Sequence, residues 1–350
     1  MFARSQRPIR EKIILITGAN GEVGHGLIRQ LYEMQDTSEV VVLDLSGLDD
    51  ALTPMVNRVI TGDILDNELI NLLLNEYEID MIVHLAALLS THSEFNPESA
   101  HRVNVQGTIN LLKLAIEQGR SRGHPVRFLY PSSIAVYGLP DVQTKAQQGA
   151  IDENSYLYPI TMYGCNKLYC EHLGRYYAEF YQQLSAAKSI GLDFRCVRFP
   201  GLISAHTMPT GGTSDFAPEM IHAAAQGKPY ESFVAEDVRI PFMVMPDAIK
   251  ALISLSEAPR EQLKHYVYNV SSFSLSASEV ADRVKANFPD AEISFEPHAA
   301  RQNIVNSWPA DVDDSAARQE WDWSPDYDVD RAFNEYLIPT IRQYYETSKS

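Results

Sequence analysis

Cysteine, long apolar runs and positive charge are all scarce in this chain. Its 350 residues include three cysteines, Cys165, Cys170 and Cys196. That number is too small and odd for a disulfide framework and suits a reducing compartment. The longest near-apolar run, residues 81–89, is broken by His84 and is far shorter than the ~20 residues a bilayer-spanning helix needs. With 29 basic against 46 acidic residues the formal net charge is −17, so nucleic acid and anionic membrane surfaces are expected to be repelled. One local excess of positive charge, Arg4, Arg7, Arg10 and Lys12, lacks the apolar core of a signal peptide and is short for a transit peptide. It reads as a frayed basic tail, which makes the expected location cytoplasmic. The ten histidines are scattered, with no HExxH and no paired CxxC, so no metal site is expected. Gly-x-Ser-x-Gly is missing as well, and no internal repeat or low-complexity segment is present.

What remains is a globular composition: 45% apolar, 21% charged, with 18 glycines and 19 prolines, enough to bury a sizeable core. Short apolar runs bounded by turn residues at 13–16, 40–43, 81–85, 128–130 and 194–197 read as buried strands, with a weaker one at 58–61. Between them, 22–34, 66–77, 97–118 and 162–184 read as helices. The third is expected to start with Asn96 as cap and Pro97 in its first turn, and to stop before Gly119. Alternation of this kind predicts an α/β fold, a doubly wound parallel (Rossmann) sheet with a smaller C-terminal substrate domain. Beyond Pro200 the rhythm loosens: 202–216 reads as a loop, 243–255 as a helix, 266–270 as a strand, and 276–286 and 330–345 as helices. The expected division is a nucleotide-binding domain over 12–198, to which 240–270 returns, and a mainly substrate-binding domain over 199–350.

Thr17-Gly18-Ala19-Asn20-Gly21-Glu22-Val23-Gly24 follows the first strand directly and opens a helix. Glycines there allow a tight turn and close approach of a pyrophosphate to a helix amino terminus. Asp44 ends the second strand twenty residues after Gly24, where a carboxylate accepts both ribose hydroxyls of NAD and repels the 2′-phosphate of NADP. Asp63 and Ile64 follow the third strand, placed to take the adenine. Leu85, Ala86 and Ala87 end the fourth with small residues that let backbone lie against a cofactor, while His84 reads as a satisfied core histidine.

Tyr163 and Lys167 stand four apart on one helix face. Proton transfer needs a group that titrates near the working pH, and a nearby ammonium is expected to favour the phenolate of a tyrosine otherwise near pKa 10. Ser133, leaving the fifth strand beside Ser132, can orient a substrate oxygen toward that phenol; the competing reading is a turn serine bonded to its own backbone. Cys165, inside the same motif, reads as a small packed residue rather than a reactive thiol.

Taken together, Gly18/Gly21/Gly24, Asp44, His84-Leu85-Ala86-Ala87, Asn104, Ser133, Tyr163 and Lys167 resemble the extended short-chain dehydrogenase/reductase family. The resemblance implies NAD on a doubly wound sheet, with Asn20, Glu22, Val23, Asn104 and the stretch Pro200, Gly201, Leu202, Ile203 joining the cofactor site. It implies a Ser–Tyr–Lys catalytic set and a homodimer built on helices 97–118 and 162–184. Segments 199–204, 211–216, 241–248 and 307–323 are similar to those family members that oxidise L-threonine to 2-amino-3-oxobutanoate. By that resemblance Ser90, Ser132, Ser133, Tyr163, Thr213 and Ser214 touch substrate, and Asp215 is a chemically suitable acceptor for a substrate ammonium. Serine stands at 133 and 214 where threonine is common, and 123–127 and 141–158 depart from the pattern. A nucleotide-sugar 4-epimerase using bound NAD, or a non-catalytic NAD-binding protein, are the rival readings.

Overall fold

The computed structural model describes residues 12–35, 38–185, 190–209 and 212–347; Arg4, Arg7, Arg10 and Gly211 lie outside them. Seven strands form the main sheet: β1 Ile13–Thr17, β2 Glu39–Asp44, β3 Arg58–Thr61, β4 Ile79–His84, β5 Arg127–Ser133, β6 Asp193–Phe199 and β7 Val267–Asn269. Their spatial order is β3-β2-β1-β4-β5-β6-β7. The pairings β1/β2, β1/β4, β2/β3, β4/β5 and β6/β7 are all parallel. Every residue of β1 is buried, because a parallel sheet is covered on both faces and its inner strands must be apolar throughout. The order reverses between β1 and β4, which is where such sheets bind ligands.

Chain contacts divide the molecule into two compact units. The first comprises residues up to 87 with 106–130 and 173–194. In it the helix Glu22–Glu33 buries Leu27, Ile28 and Leu31. The helix Asn67–Glu76 starts one residue later than the periodicity predicts, because Asp66 caps it by accepting the N–H groups of Glu68 and Leu69. Helix Thr108–Arg122 runs past Gly119, and Gly123, at φ +81°, makes the left-handed stop.

The second unit comprises 88–105, 131–172 and 195 onward. A three-stranded sheet there joins Gly201–Ile203, Arg239–Val244 and Phe273–Ser276. Its core is aromatic, with Tyr137, Phe216, Phe242, Trp308 and Phe333 each at most 4% exposed. Two expectations fail here. Gly201–Ile203 is a strand paired with Phe242–Val244, so the expected loop loses its start. Residues 243 and 244 belong to a buried strand, and the helix begins at Met245, since a short buried apolar run has no periodicity to betray its type.

The long helices predicted at 97–118, 162–184 and 330–345 each contain a wide π-helical turn, at Arg102–Gly107, Tyr176–Phe180 and Ala332–Leu337. The second one closes its helix at Phe180, short of the predicted end. Asn96 occupies the expected cap position, yet its side chain makes no cap bond. No helix among the described residues is long and apolar enough to cross a membrane.

Candidate active site

In the first unit, Gly18 has φ +68°, and a Cβ there would meet the Ala86 nitrogen at 2.5 Å and the Leu85 carbonyl carbon at 2.8 Å. No other residue fits so close to the end of β4. At Gly24 a Cβ would lie 2.2 Å from the Ala19 carbonyl oxygen, so the first helical turn packs directly on the loop. Gly21 differs: its nearest neighbour is 3.4 Å away, and it begins the helix without a side-chain cap. The positive end of the helix therefore faces a cradle that a Cβ would fill, which fits a pyrophosphate.

Asp44 closes β2 with one carboxylate oxygen accepting the Asn20 N–H at 3.0 Å and the other the Ser46 N–H at 3.2 Å. Glycine loop and carboxylate are thus one hydrogen-bonded piece. Asp63 is exposed and accepts the Leu65 N–H at 2.9 Å, whereas Ile64 is buried and its carbonyl accepts from Asn110 at 3.0 Å. His84 is buried between the hydroxyls of Thr17 and Thr108, at 2.8 and 2.9 Å. That is the satisfied core histidine the sequence suggests.

In the second unit, the helix Met162–Arg175 comes so near the chain leaving β5 that a Cβ at Gly164 would lie 2.1 Å from the Ala135 carbonyl oxygen. Lys167 is 4% exposed, and its Nζ donates to the Pro131 carbonyl at 2.7 Å. The same Nζ stands 5.6 Å from the Tyr163 ring centre, so the four-residue spacing does bring the pair together. Burial pushes the phenol of Tyr163 well above its ordinary range and pulls the Lys167 ammonium down to about 8. Lysine alone does not make this phenol acidic; removal from water outweighs it.

Ser133 accepts the Ala135 N–H at 3.2 Å through Oγ, as a turn serine does, which leaves its O–H as donor. Ser132 is buried, and its hydroxyl has no hydrogen-bond partner among the described residues. Asn104 sits within the π turn and holds Leu88 on both sides, accepting its N–H at 2.7 Å and donating to its carbonyl at 3.0 Å. It also reaches Asn166 at 3.4 Å, so its carboxamide ties the 88–90 segment to the helix Met162–Arg175. Cys165 is exposed rather than packed, and partial burial together with Glu94 raises its thiol, so it is not an activated thiolate.

Among the substrate candidates, Thr213 donates through its hydroxyl to Ser90 at 3.2 Å. Ser214 is half-buried on the same turn. One oxygen of Asp215 accepts the Gly212 N–H at 2.6 Å, which leaves the other to accept from a ligand. Gly201, Leu202 and Ile203 run alongside Phe242–Val244 with Pro200 just before them.

Sequence reasoning missed the polar group beneath the helix Met162–Arg175. Arg198 on β6 donates to both oxygens of Glu171 at 2.9 and 2.7 Å, and to Tyr137 Oη and the Glu153 carbonyl at 2.9 and 2.8 Å. Both charged side chains are 3% exposed. Glu171 lies one turn after Lys167, and that spacing is the only local signal it carries.

A family model described as the NAD dependent epimerase/dehydratase family matches residues 14–271. The mitochondrial L-threonine 3-dehydrogenase of Bos taurus is 33% identical over 316 residues, which span 90% of this chain and 79% of that protein. Among solved structures, L-threonine dehydrogenase from Clostridium difficile superposes with a TM-score of 0.83 at 32% identity, covering 96% of this chain and 99% of that one. A monomeric L-threonine 3-dehydrogenase from a metagenome gives 0.82 at 34% identity, covering 95% and 99%.

Proposed function

Because the chain belongs to the NAD dependent epimerase/dehydratase family, we propose that it oxidises the side-chain alcohol of L-threonine to 2-amino-3-oxobutanoate with NAD. The observation that carries this is the pairing of Tyr163 with Lys167, 5.6 Å from ring centre to Nζ, in a chain similar to L-threonine 3-dehydrogenases over 90% of its length. Tyr163, when ionised, takes the hydroxyl proton. The O–H of Ser133 steadies the same oxygen, and the Lys167 ammonium favours the phenolate. Ser90, Ser132, Thr213 and Ser214 supply hydroxyls for a small zwitterion, and Asp215 supplies negative charge.

NAD, when bound, accepts the hydride leaving the substrate β-carbon. The residues suited to hold it are Gly18, Asn20, Gly21, Glu22, Val23 and Gly24 for the pyrophosphate and Asp44 for the ribose hydroxyls. Asp63 and Ile64 suit the adenine; Leu85, Ala86, Ala87, Tyr163, Lys167 and the Pro200–Gly201–Leu202–Ile203 backbone suit the nicotinamide half. Asn104 serves that site through Leu88. Residues 12–198, joined by 240–270, carry the cofactor role, and 199–350 mainly the substrate role. The exposed Tyr169, Tyr176 and Phe180 support a homodimer, and three free thiols support a cytoplasmic location.

Purified protein mixed with NAD and L-threonine tests the assignment through NADH absorbance. A rising signal supports it. No signal with threonine, but conversion of a uridine-linked sugar without net NADH, replaces it with the epimerase. Silence with both leaves an NAD-binding protein.

A further inference from the structure

We propose that Arg301 is a positioning residue for the substrate carboxylate, acting through the peptide between Gly212 and Thr213; this rests on the L-threonine assignment above. That peptide adjoins a segment gripped from two sides. Asp215 accepts the Gly212 N–H at 2.6 Å, and Arg301 Nη2 donates to the Gly212 carbonyl at 2.8 Å.

The guanidinium is itself held flat. Its central carbon lies 3.3 Å from the centre of the Phe233 ring, and Phe233 is 8% exposed and packs edge-on against Phe216. An arginine stacked in this way loses little freedom when it binds a carbonyl. Because a trans peptide is planar with its C=O and N–H opposed, fixing the Gly212 oxygen turns the Thr213 N–H away from Arg301. Thr213 is 4% exposed, with its hydroxyl on Ser90 at 3.2 Å. A backbone N–H beside the Ser90 hydroxyl, whose own proton the Thr213 contact leaves available, is a donor set for a carboxylate.

Glu219, one turn beyond Asp215, is occupied by the Tyr230 hydroxyl at 2.7 Å. The Arg301 charge also acts on this carboxylate, lowering its pKa against the burial that raises it. Lysine can reach an oxygen but can neither stack nor present a planar fork, so it restores the contact only in part.

Steady-state kinetics of Arg301→Met and Arg301→Lys with L-threonine test this, with thermal melting and NAD titration as controls on folding and cofactor binding. Arg301→Met is expected to raise KM for L-threonine at least about tenfold while kcat stays within about threefold, as for loss of one charge-assisted hydrogen bond. Arg301→Lys should fall between it and the wild type. An unchanged KM, or a loss carried by kcat alone, overturns the proposal. If Arg301→Met fails to fold, Arg301→Lys with wild-type KM overturns it instead. A wild-type protein silent on threonine fails the underlying assignment, which is a separate and recognisable result.

Discussion

Glu171→Gln should destabilise the protein more than almost any other single polar substitution. Arg198 spends three of its nitrogens on Glu171, Tyr137 and the Glu153 carbonyl, inside a region where both charged side chains are 3% exposed. The amide would remove the compensating charge and turn one of its donors toward a guanidinium that is all donor. Arginine has no escape by losing its proton, because a guanidinium stays protonated throughout the accessible pH range. Breaking one partner of a buried pair costs about 3–5 kcal/mol. With a urea slope of about 2–3 kcal/mol per molar, the unfolding midpoint should fall by about 1–2 M. Tryptophan fluorescence is the assay, since all three tryptophans, Trp308, Trp321 and Trp323, are buried in the unit that holds the pair. The double variant Glu171→Leu/Arg198→Met should lose about 2 kcal/mol less than the sum of its single changes. A loss below about 1 kcal/mol for Glu171→Gln, or strict additivity in the double, would refute the reasoning.

Three further outcomes are expected. Tyr163→Phe should lower kcat by about 10²–10⁴ while NAD affinity, read by fluorescence titration, stays as in the wild type. Asp44→Ala should weaken NAD binding by about tenfold, close to 1.4 kcal/mol, and narrow the preference over NADP without moving the pH dependence of turnover. Lys145 is buried with its Nζ on the Val305 carbonyl at 3.0 Å, and burial lowers its pKa from 10.5 to about 7. Between those two values the unfolded chain holds a proton that the folded one has released, so this group makes stability rise with pH across that window. Lys145→Met should flatten the rise; a melting-temperature curve parallel to the wild type from pH 7 to 10 would contradict the assignment.

The residues of the sheet were easy to read because a parallel strand covered on both sides leaves an unbroken apolar run, as in 13–16 and 40–43. The glycine loop was legible for a related reason: two of its three glycines answer a local demand, a positive φ at Gly18 and a backbone contact at Gly24. What escaped lies in long-range pairing and in wide turns. Nothing in the composition of 102–107 distinguishes a π turn from an α-helix, and the turn matters because it carries Asn104 back to Leu88, sixteen residues earlier. Arg198 fell just past the expected end of its strand, and its partner Glu171 is twenty-seven residues away, so no window contains both. At Asp215 the sequence shows the charge but not its neighbour: a carboxylate three residues after a glycine closes on that glycine's N–H, as short acidic side chains in turns commonly do.

The same competition between burial and charge governs the pair Tyr163 and Lys167. Burial drives the Tyr163 phenol up and the Lys167 ammonium down to about 8, so the first proton to leave is expected from the lysine side. Once one proton has gone, phenol with amine and phenolate with ammonium carry the same total charge. Solution pH then has no power to choose between them, and only the local field does. The phenolate form, selected wherever a positive charge stands near the phenol oxygen, is the competent base. It follows that kcat/KM should rise through an apparent pKa near 8 rather than near the ~10 of a free phenol. Lys167→Met removes the proton that leaves first, and the inflection should then move above pH 10, because the phenol titrates alone in a site that disfavours its charge. A Lys167→Met variant with detectable turnover whose profile inflects at the wild-type pH would place the titrating group outside this pair, and the base assignment for Tyr163 would fail with it.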